Sequence, residues 1–149
     1  MALSRSLLVS AAILEAMSSR DQELIAILRH ALDAGNRGDF DTAVAMVTPD
    51  VELISRGGFT SLRGADALRA WLEPKTMEDV LFEVEDIEVV GSNVLARHRV
   101  RGRGVASGIS LEMRFWAVWT FNEARLLTRV VMFRPDEEAA AREAAGLSE

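Results

Sequence analysis

Residues 94–105, with the sequence VLARHRVRGRGV, decide how the second half of the chain folds. Four arginines occupy alternate positions from 97 to 103, and alternate residues of a β-strand point to the same face of a sheet. Turn-forming residues flank the segment, Gly-Ser-Asn at 91–93 and Ala-Ser-Gly at 106–108. The pattern predicts a strand between two turns, with one strongly basic face.

Alternation alone leaves two orientations open for this strand. In the first, His98 faces the interior with Val94 and Val100, and the arginines line the outer face. In the second, Arg97 and Arg99 point inward, where they could clamp a carboxylate or a phosphate. We prefer the first orientation, because burying several guanidinium groups without enough partners is strongly unfavourable.

Apolar residues also alternate in the segments that precede and follow this strand in the sequence. The apolar positions alternate over residues 80–84 and change parity at 87–89, which predicts a β-bulge near residues 85–86. Further strands are expected over residues 109–121 and 125–133. The acids on adjacent strands that we expect to pair with the arginine face are Glu83, Glu85 and Glu112.

The first half of the chain is predicted to be helical. Ser19 and Gln22 form a capping-box pattern before an amphipathic helix that stops at Gly35. Asp39 can cap a second, shorter helix. A third helix is expected over residues 64–73, where Pro74 forbids continuation.

This order of elements predicts the fold class. A short strand at 51–55, closed by Gly57 and Gly58, separates the second and third helices, and a closing helix runs between Pro135 and Gly146. Helices followed by an antiparallel meander and a tail helix indicate an α+β domain, with the helices gathered on one face of a curved sheet.

The composition bounds the number of domains and the classes of partner. The chain has 149 residues and a net charge of −6, which fits one domain without affinity for nucleic acid. It has no cysteine, and His30 and His98 are its only histidines, so we expect no metal and no cofactor. No apolar run approaches the roughly 20 residues of a membrane span. We expect a cytoplasmic protein without membrane contact.

The domain is expected to span residues 19–147, after a loosely attached extension over residues 1–18. An apolar stretch at residues 7–14 follows a single arginine. It could instead be a minimal signal peptide, which would make the protein an exported one.

Four fragments of the chain together resemble one protein family. They are NRGDFD at 36–41, PDVE at 49–52, Arg63-Gly64 ahead of a helix ending in Trp71-Leu72, and VWT at 118–120. Their order over residues 20–147 resembles the SnoaL-like, or polyketide cyclase-like, branch of the nuclear-transport-factor-two-like superfamily. The resemblance implies a cone-shaped, antiparallel or mixed sheet that wraps around the N-terminal helices and encloses an apolar pocket. Members of the superfamily include cyclases, ketosteroid isomerases, epoxide hydrolases and inert binding or association domains.

The resemblance does not carry over the catalytic groups of two of these relatives. The positions of the isomerase base, tyrosine and acid are occupied by Ser55, Ala31 and Ala117. The arginine of the epoxide hydrolases falls on Arg97, but its two partner carboxylates fall on Arg99 and Val131. Because the chain contains no tyrosine, the loss of the isomerase tyrosine does not depend on the alignment.

Strand parity and the resemblance predict the residues of the pocket. They are Leu28, Leu53, Ser55, Trp71, Leu72, His98, Phe115, Ala117, Trp119 and Val131. Arg97 and Arg99 replace His98 in the alternative orientation. His98 is the candidate catalytic residue, as a general base or donor, and the competing interpretation is a core histidine satisfied by its neighbours.

Trp116 has the parity opposite to Trp119, which places it on the outer face of the sheet. A large aromatic residue there favours a homodimer interface, and dimers through that face are common in the superfamily that the chain resembles.

Three functions stay open at this point. The first is binding of a small apolar or carbonyl-containing ligand in the pocket. The second is a cyclase or isomerase reaction with His98 in proton transfer, and the third is a non-catalytic homodimerisation module. The missing carboxylates favour the two non-catalytic functions, whereas an enclosed pocket with His98 exposed in it would favour an enzyme.

Overall fold

A computed structural model describes residues 18–55, 61–73 and 75–147 of the chain. Within these ranges the helices are α1 (Ser19–Asn36), α2 (Phe40–Ala45), α3 (Ala65–Leu72) and α4 (Glu138–Ala145). The strands are β1 (Val47–Ser55), β2 (Ser61–Arg63), β3 (Met77–Val90), β4 (Asn93–Gly104), β5 (Ser110–Phe121) and β6 (Leu127–Phe133). The predictions for residues 1–17, for Gly57 and Gly58 and for Pro74 lie outside the described residues.

The six strands form one mixed sheet in the order β2-β1-β6-β5-β4-β3. Strands β3 to β6 are an antiparallel meander, and β1 pairs with β6 in parallel. The predicted α+β class is confirmed. The predicted bulge is confirmed too, because the β3–β4 register shifts between Val84 and Asp86.

The helix ends follow local hydrogen bonding. Ser18, rather than Ser19, caps α1, because its hydroxyl accepts a hydrogen bond from the Asp21 N–H over 3.1 Å. Asp39 caps α2 as predicted, by accepting from the backbone N–H and the hydroxyl of Thr42. Gly146 ends α4 in the left-handed conformation that glycine adopts without strain.

Asn36, at the end of α1, fixes this helix against the edge strand β3. Its amide nitrogen donates to the carbonyl oxygen of Phe82 over 2.9 Å, and its amide oxygen accepts from the N–H of Phe82 over 2.8 Å. This pair of bonds satisfies backbone groups at the edge strand, where the ladder offers no further partner. It also sets the position of α1 along the inner face of the sheet.

The sheet has an inner face, which packs against residues of α1, α2 and α3, and an outer face, which α4 covers in part. The expectation that all helices gather on one face is therefore wrong. Ala141 and Ala145 are fully or almost fully buried, and their small side chains let α4 approach the sheet closely.

Two predicted residues lie beneath α4. Trp116 is on the outer face, as its parity indicated, but only 4% of it is exposed. Val131 also packs in this outer cluster, so its predicted place in the inner pocket is wrong; its neighbour Val130 is the residue of β6 that faces inward. Successive side chains of a strand point to opposite faces of the sheet, and in β6 position 131 is on the outer face.

Candidate functional site

The inner faces of β4 and β5 place His98 at the centre of the buried sheet. In the register His98 lies opposite Phe115, Ala96 lies opposite Ala117, and Val94 lies opposite Trp119. His98 is completely buried and is the one buried polar or charged residue in the described part of the chain. The preferred orientation of this strand is confirmed.

Both ring nitrogens of His98 have hydrogen-bond partners. The indole N–H of Trp119 donates to Nε2 over 2.9 Å, and Nδ1 lies 3.2 Å from the carbonyl oxygen of Glu83. Because an indole nitrogen can only donate, Nε2 must accept, and the ring proton resides on Nδ1 and points at the carbonyl. The neutral tautomer is thus fixed, with no nitrogen free for a substrate.

Trp119 reaches His98 past a pair of alanines. Trp119 lies four positions after Phe115, the residue opposite His98. Ala96 and Ala117 lie between them in the register, and both are completely buried. Their small side chains leave the room through which the indole extends, and the indole meets the imidazole edge-on with ring centroids 5.5 Å apart.

Burial governs the charge state of His98. Removal from water lowers the pKa of His98 to about 4, against the opposing effect of its hydrogen bond to the Glu83 carbonyl. An imidazole in this state is neutral at physiological pH, but its lone pair is already engaged by Trp119. It therefore lacks the free acceptor that a general base needs.

A small apolar cavity lies between the three inner helices and the sheet, next to Trp119. Its volume is about 30 Å³, enough for one water molecule and far below the roughly 300 Å³ of a typical ligand site. Its lining is apolar throughout and consists of Ile27, Leu28, Ala31, Leu32, Ala43, Met46, Val47, Leu68, Trp71, Leu72, Trp119, Phe121 and Leu127.

The cavity and the predicted pocket overlap in part. Leu28, Trp71, Leu72 and Trp119 line the cavity. Leu53, Phe115 and Ala117 are in the surrounding inner core without lining it, and Ser55 lies half-buried at the end of β1. His98 does not line the cavity, but it accepts a hydrogen bond from Trp119, which does.

Sequence reasoning missed most of the helical wall of this cavity. Ile27 and Leu32 lie on α1 beside the predicted Leu28, and Ala43 and Met46 extend the wall into α2 and its end. The helical period of α1 was the available signal for the first two. Phe121 shares the parity of Trp119, so the strand pattern does indicate the inner face for it.

The positions that would hold catalytic groups in the isomerases do not form a polar cluster. Ala31 lines the apolar cavity, and the small side chain of Ala117 leaves room for the indole of Trp119. Among the described residues, no three histidine, aspartate or glutamate side chains are grouped so that they could hold a metal ion.

The arginines of β4 lie on the outer face, so the alternative in which Arg97 and Arg99 enter the pocket is wrong. Arg99 donates to Glu83 over 2.9 Å, and Arg101 lies 2.6 Å from the same carboxylate. Arg97 lies 3.9 Å from Glu85 and places its guanidinium 5.8 Å from the ring centroid of Trp116. The charges of these arginines are therefore paired on the outer face, and none of the three guanidinium groups enters the interior.

The predicted pairing of the arginine face with Glu83, Glu85 and Glu112 is confirmed. Arg99 and Arg114 both contact Glu112, and Arg114 donates to Glu85 over 2.9 Å. The hydrogen bond from Arg99, followed by the charge of Arg101, lowers the pKa of Glu83. We call this set of Arg97, Arg99, Arg101, Arg114, Glu83, Glu85 and Glu112 the outer charge network.

Comparison with known proteins agrees with this architecture. The model of the SnoaL-like domain matches residues 28–130, more than half of the chain. The chain belongs to the SnoaL-like family. No curated protein matches it. None of the helices in the described ranges is long and apolar enough to cross a membrane.

Solved structures share the fold of this SnoaL-like protein at low identity. SalBIII, an epoxide hydrolase/cyclase-like enzyme in pyran ring formation of the polyether salinomycin, is 17% identical with a TM-score of 0.68, over 75% of this chain and 90% of its own. A candidate SnoaL-like polyketide cyclase from Jannaschia sp. CCS1 is 16% identical with a TM-score of 0.69, over 89% and 97%. Rv0760c from Mycobacterium tuberculosis, in complex with estradiol-17beta-hemisuccinate, is 14% identical with a TM-score of 0.66, over 75% and 94%.

Proposed function

We propose that this SnoaL-like protein binds a small apolar molecule between its inner helices and its sheet, without proton-transfer chemistry at His98. The observation that carries the proposal is the cavity beside Trp119, whose lining side chains are all apolar or aromatic. A related fold in Rv0760c is seen in complex with a steroid derivative. These features support binding in the interior of the cone.

The cavity must widen to take a molecule larger than water. Its half-buried lining residues include Ile27, Met46 and Trp71, whereas Leu28 and Trp119 are almost completely buried. Side chains that reach the surface can change rotamer at lower cost than those packed on every side. We infer that the cavity widens on the side of Ile27, Met46 and Trp71.

Catalysis by His98 is the weaker candidate. A general base needs an acceptor within reach of the substrate proton, but Trp119 occupies Nε2 and the Glu83 carbonyl faces Nδ1. The arrangement is that of a core histidine whose polar atoms are satisfied by its neighbours.

Titration with ethylbenzene tests the binding proposal. We expect it to raise the thermal unfolding temperature and to shift the indole N–H resonances of Trp71 and Trp119. A ligand that binds only the folded state adds about 2.7 kcal/mol of stability at 100 times its Kd.

Ala31→Leu and Ala26→Leu are the matched variants on α1. Ala31 lines the cavity, whereas Ala26 is exposed on the same helix. Filling the cavity with the larger side chain at position 31 should abolish binding, and the change at position 26 should leave it unaltered. Equal binding by the Ala31→Leu variant would place the ligand elsewhere and overturn the proposal.

A homodimer through the outer face of β3, β4 and β5 is a second proposal. Its first basis, an exposed Trp116, no longer holds, since α4 covers that residue. The remaining support is the outer charge network, whose alternating signs could pair with a two-fold related copy. Sedimentation at low and high salt tests it, and a monomer at micromolar concentration in low salt would refute it.

The cytoplasmic location stays a prediction.

A further inference from the structure

We propose that the free edge of β5 over residues 109–113 binds a second copy of this chain, with antiparallel pairing about a two-fold axis at Leu111. The contact uses the edge and the inner face of the sheet, so it is distinct from the outer-face dimer proposed above. It does not depend on ligand binding in the cavity.

The first half of β5 has a strand on one side only. β5 pairs with β4 from Ser110 to Thr120, whereas its pairing with β6 begins at Trp116. Among the described residues, no strand lies on the β6 side of residues 110–115. The backbone groups of such an edge are available to pair with another chain.

The backbone bonds of β5 indicate which residues face the free edge. The carbonyl oxygen of Ile109 accepts from the N–H of Gly104 over 2.9 Å, and the register between β4 and β5 runs on from there without a shift. Because hydrogen bonds alternate along an antiparallel strand, the odd-numbered residues of β5 bond to β4. The N–H and C=O groups of Ser110, Glu112 and Arg114 are therefore directed at the free edge.

The side chains along this edge are apolar and exposed. Ile109, Leu111 and Met113 share the inner-face parity of Phe115, and they are 51–63% exposed. Proteins usually protect an edge strand with charges, proline or a bulge on its exposed side. A row of exposed apolar side chains beside unpaired backbone groups instead indicates a surface for a partner.

Two copies can pair along this edge in few registers. Since residues with edge-facing backbone groups must meet each other, the two-fold axis passes through a residue rather than between two. An axis at Glu112 places two like charges opposite each other, which destabilises a strand pair. An axis at Met113 places Ser110 of the second copy opposite Trp116, where Phe133 of β6 already lies.

An axis at Leu111 avoids both conflicts. It places Leu111 opposite its own copy and Ile109 opposite Met113, so that all three exposed apolar side chains gain an apolar partner. On the outer face Ser110 lies opposite Glu112, and these two residues exchange the backbone hydrogen bonds. The paired segment ends before the position at which β6 joins β5. The edge is thus complementary to itself, as a two-fold interface requires.

Single-cysteine variants test this register, because the chain has no cysteine of its own. Opposite residues that do not exchange backbone hydrogen bonds have Cα atoms about 4.5 Å apart, within the range of a disulfide. Leu111→Cys should therefore form a disulfide-linked dimer on oxidation. Met113→Cys is the matched control on the same strand and face. It would lie about 13 Å along the strand from its own copy, so it should stay monomeric.

Sedimentation of the cysteine-free chain measures the association itself. The contact is small, so we expect a dimer with a Kd between about 1 μM and 1 mM. Leu111→Lys places two ammonium groups opposite each other and should raise this Kd at least about tenfold. Leu81→Lys changes an exposed apolar residue opposite Arg101 on the outer face and should leave the Kd unchanged.

The outcomes separate this contact from the outer-face dimer and from ligand binding. If the original chain is monomeric at about 1 mM, or if Leu111→Cys forms a disulfide no faster than Met113→Cys, the edge belongs to a different chain and the inference is overturned. If Leu81→Lys weakens the dimer and Leu111→Lys does not, the copies associate through the outer face instead. Ethylbenzene binding is measured independently, so neither result bears on the cavity.

Discussion

The indole N–H of Trp119 and Nε2 of His98 form a buried hydrogen bond of 2.9 Å between residues that are not opposite each other in the sheet. The bond joins the wall of the apolar cavity to the most deeply buried polar residue described. It satisfies both groups at once, and it consumes the lone pair that a catalytic histidine would need. In this structure neither ring nitrogen of His98 is free to take a proton from a bound molecule.

The stability of the fold should decrease in acid because of His98. Burial lowers the pKa of His98 from 6.5 to about 4, so the unfolded chain takes up a proton at a higher pH than the folded one. The contribution of His98 is complete above pH 6.5 and is lost progressively as the pH falls to about 4. The full loss is about 3 kcal/mol.

Urea unfolding at several pH values, compared with the His98→Gln variant, measures this contribution. The difference in unfolding free energy between the two proteins should shrink as the pH falls through that window. A difference that does not depend on pH would show that His98 titrates alike in the folded and unfolded states.

A double-mutant cycle should detect the Trp119–His98 bond itself. His98→Phe leaves the buried indole N–H without an acceptor, which costs about 1–3 kcal/mol. Trp119→Phe leaves Nε2 without a donor and adds the loss of ring volume. The double variant should be more stable than the sum of the single effects predicts, by about 1 kcal/mol. Strict additivity would mean that the bond contributes nothing.

Much of the sheet could be predicted because a strand has a period of two. That period put His98 and Arg97 on opposite faces and located the bulge before Asp86, and the cost of burying guanidinium groups indicated that His98 is the inner one. Period alone specifies the face on which a side chain lies, but not how far the side chain extends along the strand. The contact between Trp119 and His98 depends on the space above Ala96 and Ala117, which only the register of β4 with β5 defines.

The position of α4 could not be predicted for a different reason. Its apolar residues are alanines, and the pattern of a helix shows which side of the helix is buried but not which face of a sheet it covers. Burial of Ala141 and Ala145 against Trp116 settles this in the structure. The same packing accounts for the wrong expectation that Trp116 is available to a second subunit.

A charge on the buried side of α4 should expose Trp116. Ala141→Glu inserts a carboxylate into the outer cluster, where it would have no partner, so we expect α4 to detach and stability to fall by several kcal/mol. Ala140→Glu places the same residue on the exposed side of α4 and should have little effect. Hydrogen exchange of the Trp116 indole N–H reports the difference. Equal protection of Trp116 in both variants would contradict the packing of α4 described above.

The outer charge network should stabilise the fold weakly and in a salt-dependent way. Glu83 accepts from Arg99 over 2.9 Å and lies 2.6 Å from Arg101, so Glu83→Gln removes the carboxylate that joins these two arginines. The pKa of Glu83 is lowered, chiefly by the hydrogen bond from Arg99, so its contribution is present above its ordinary pKa of 4.5 and is lost as the pH falls. The loss of stability in the Gln variant should be smaller than that caused by His98→Phe, because solvent and salt screen exposed ion pairs. Urea unfolding of the original protein and the Glu83→Gln variant, in low and in high salt, checks this. The difference in their free energies of unfolding should decrease as the salt concentration rises. A difference that does not change with salt would assign Glu83 a packing role instead.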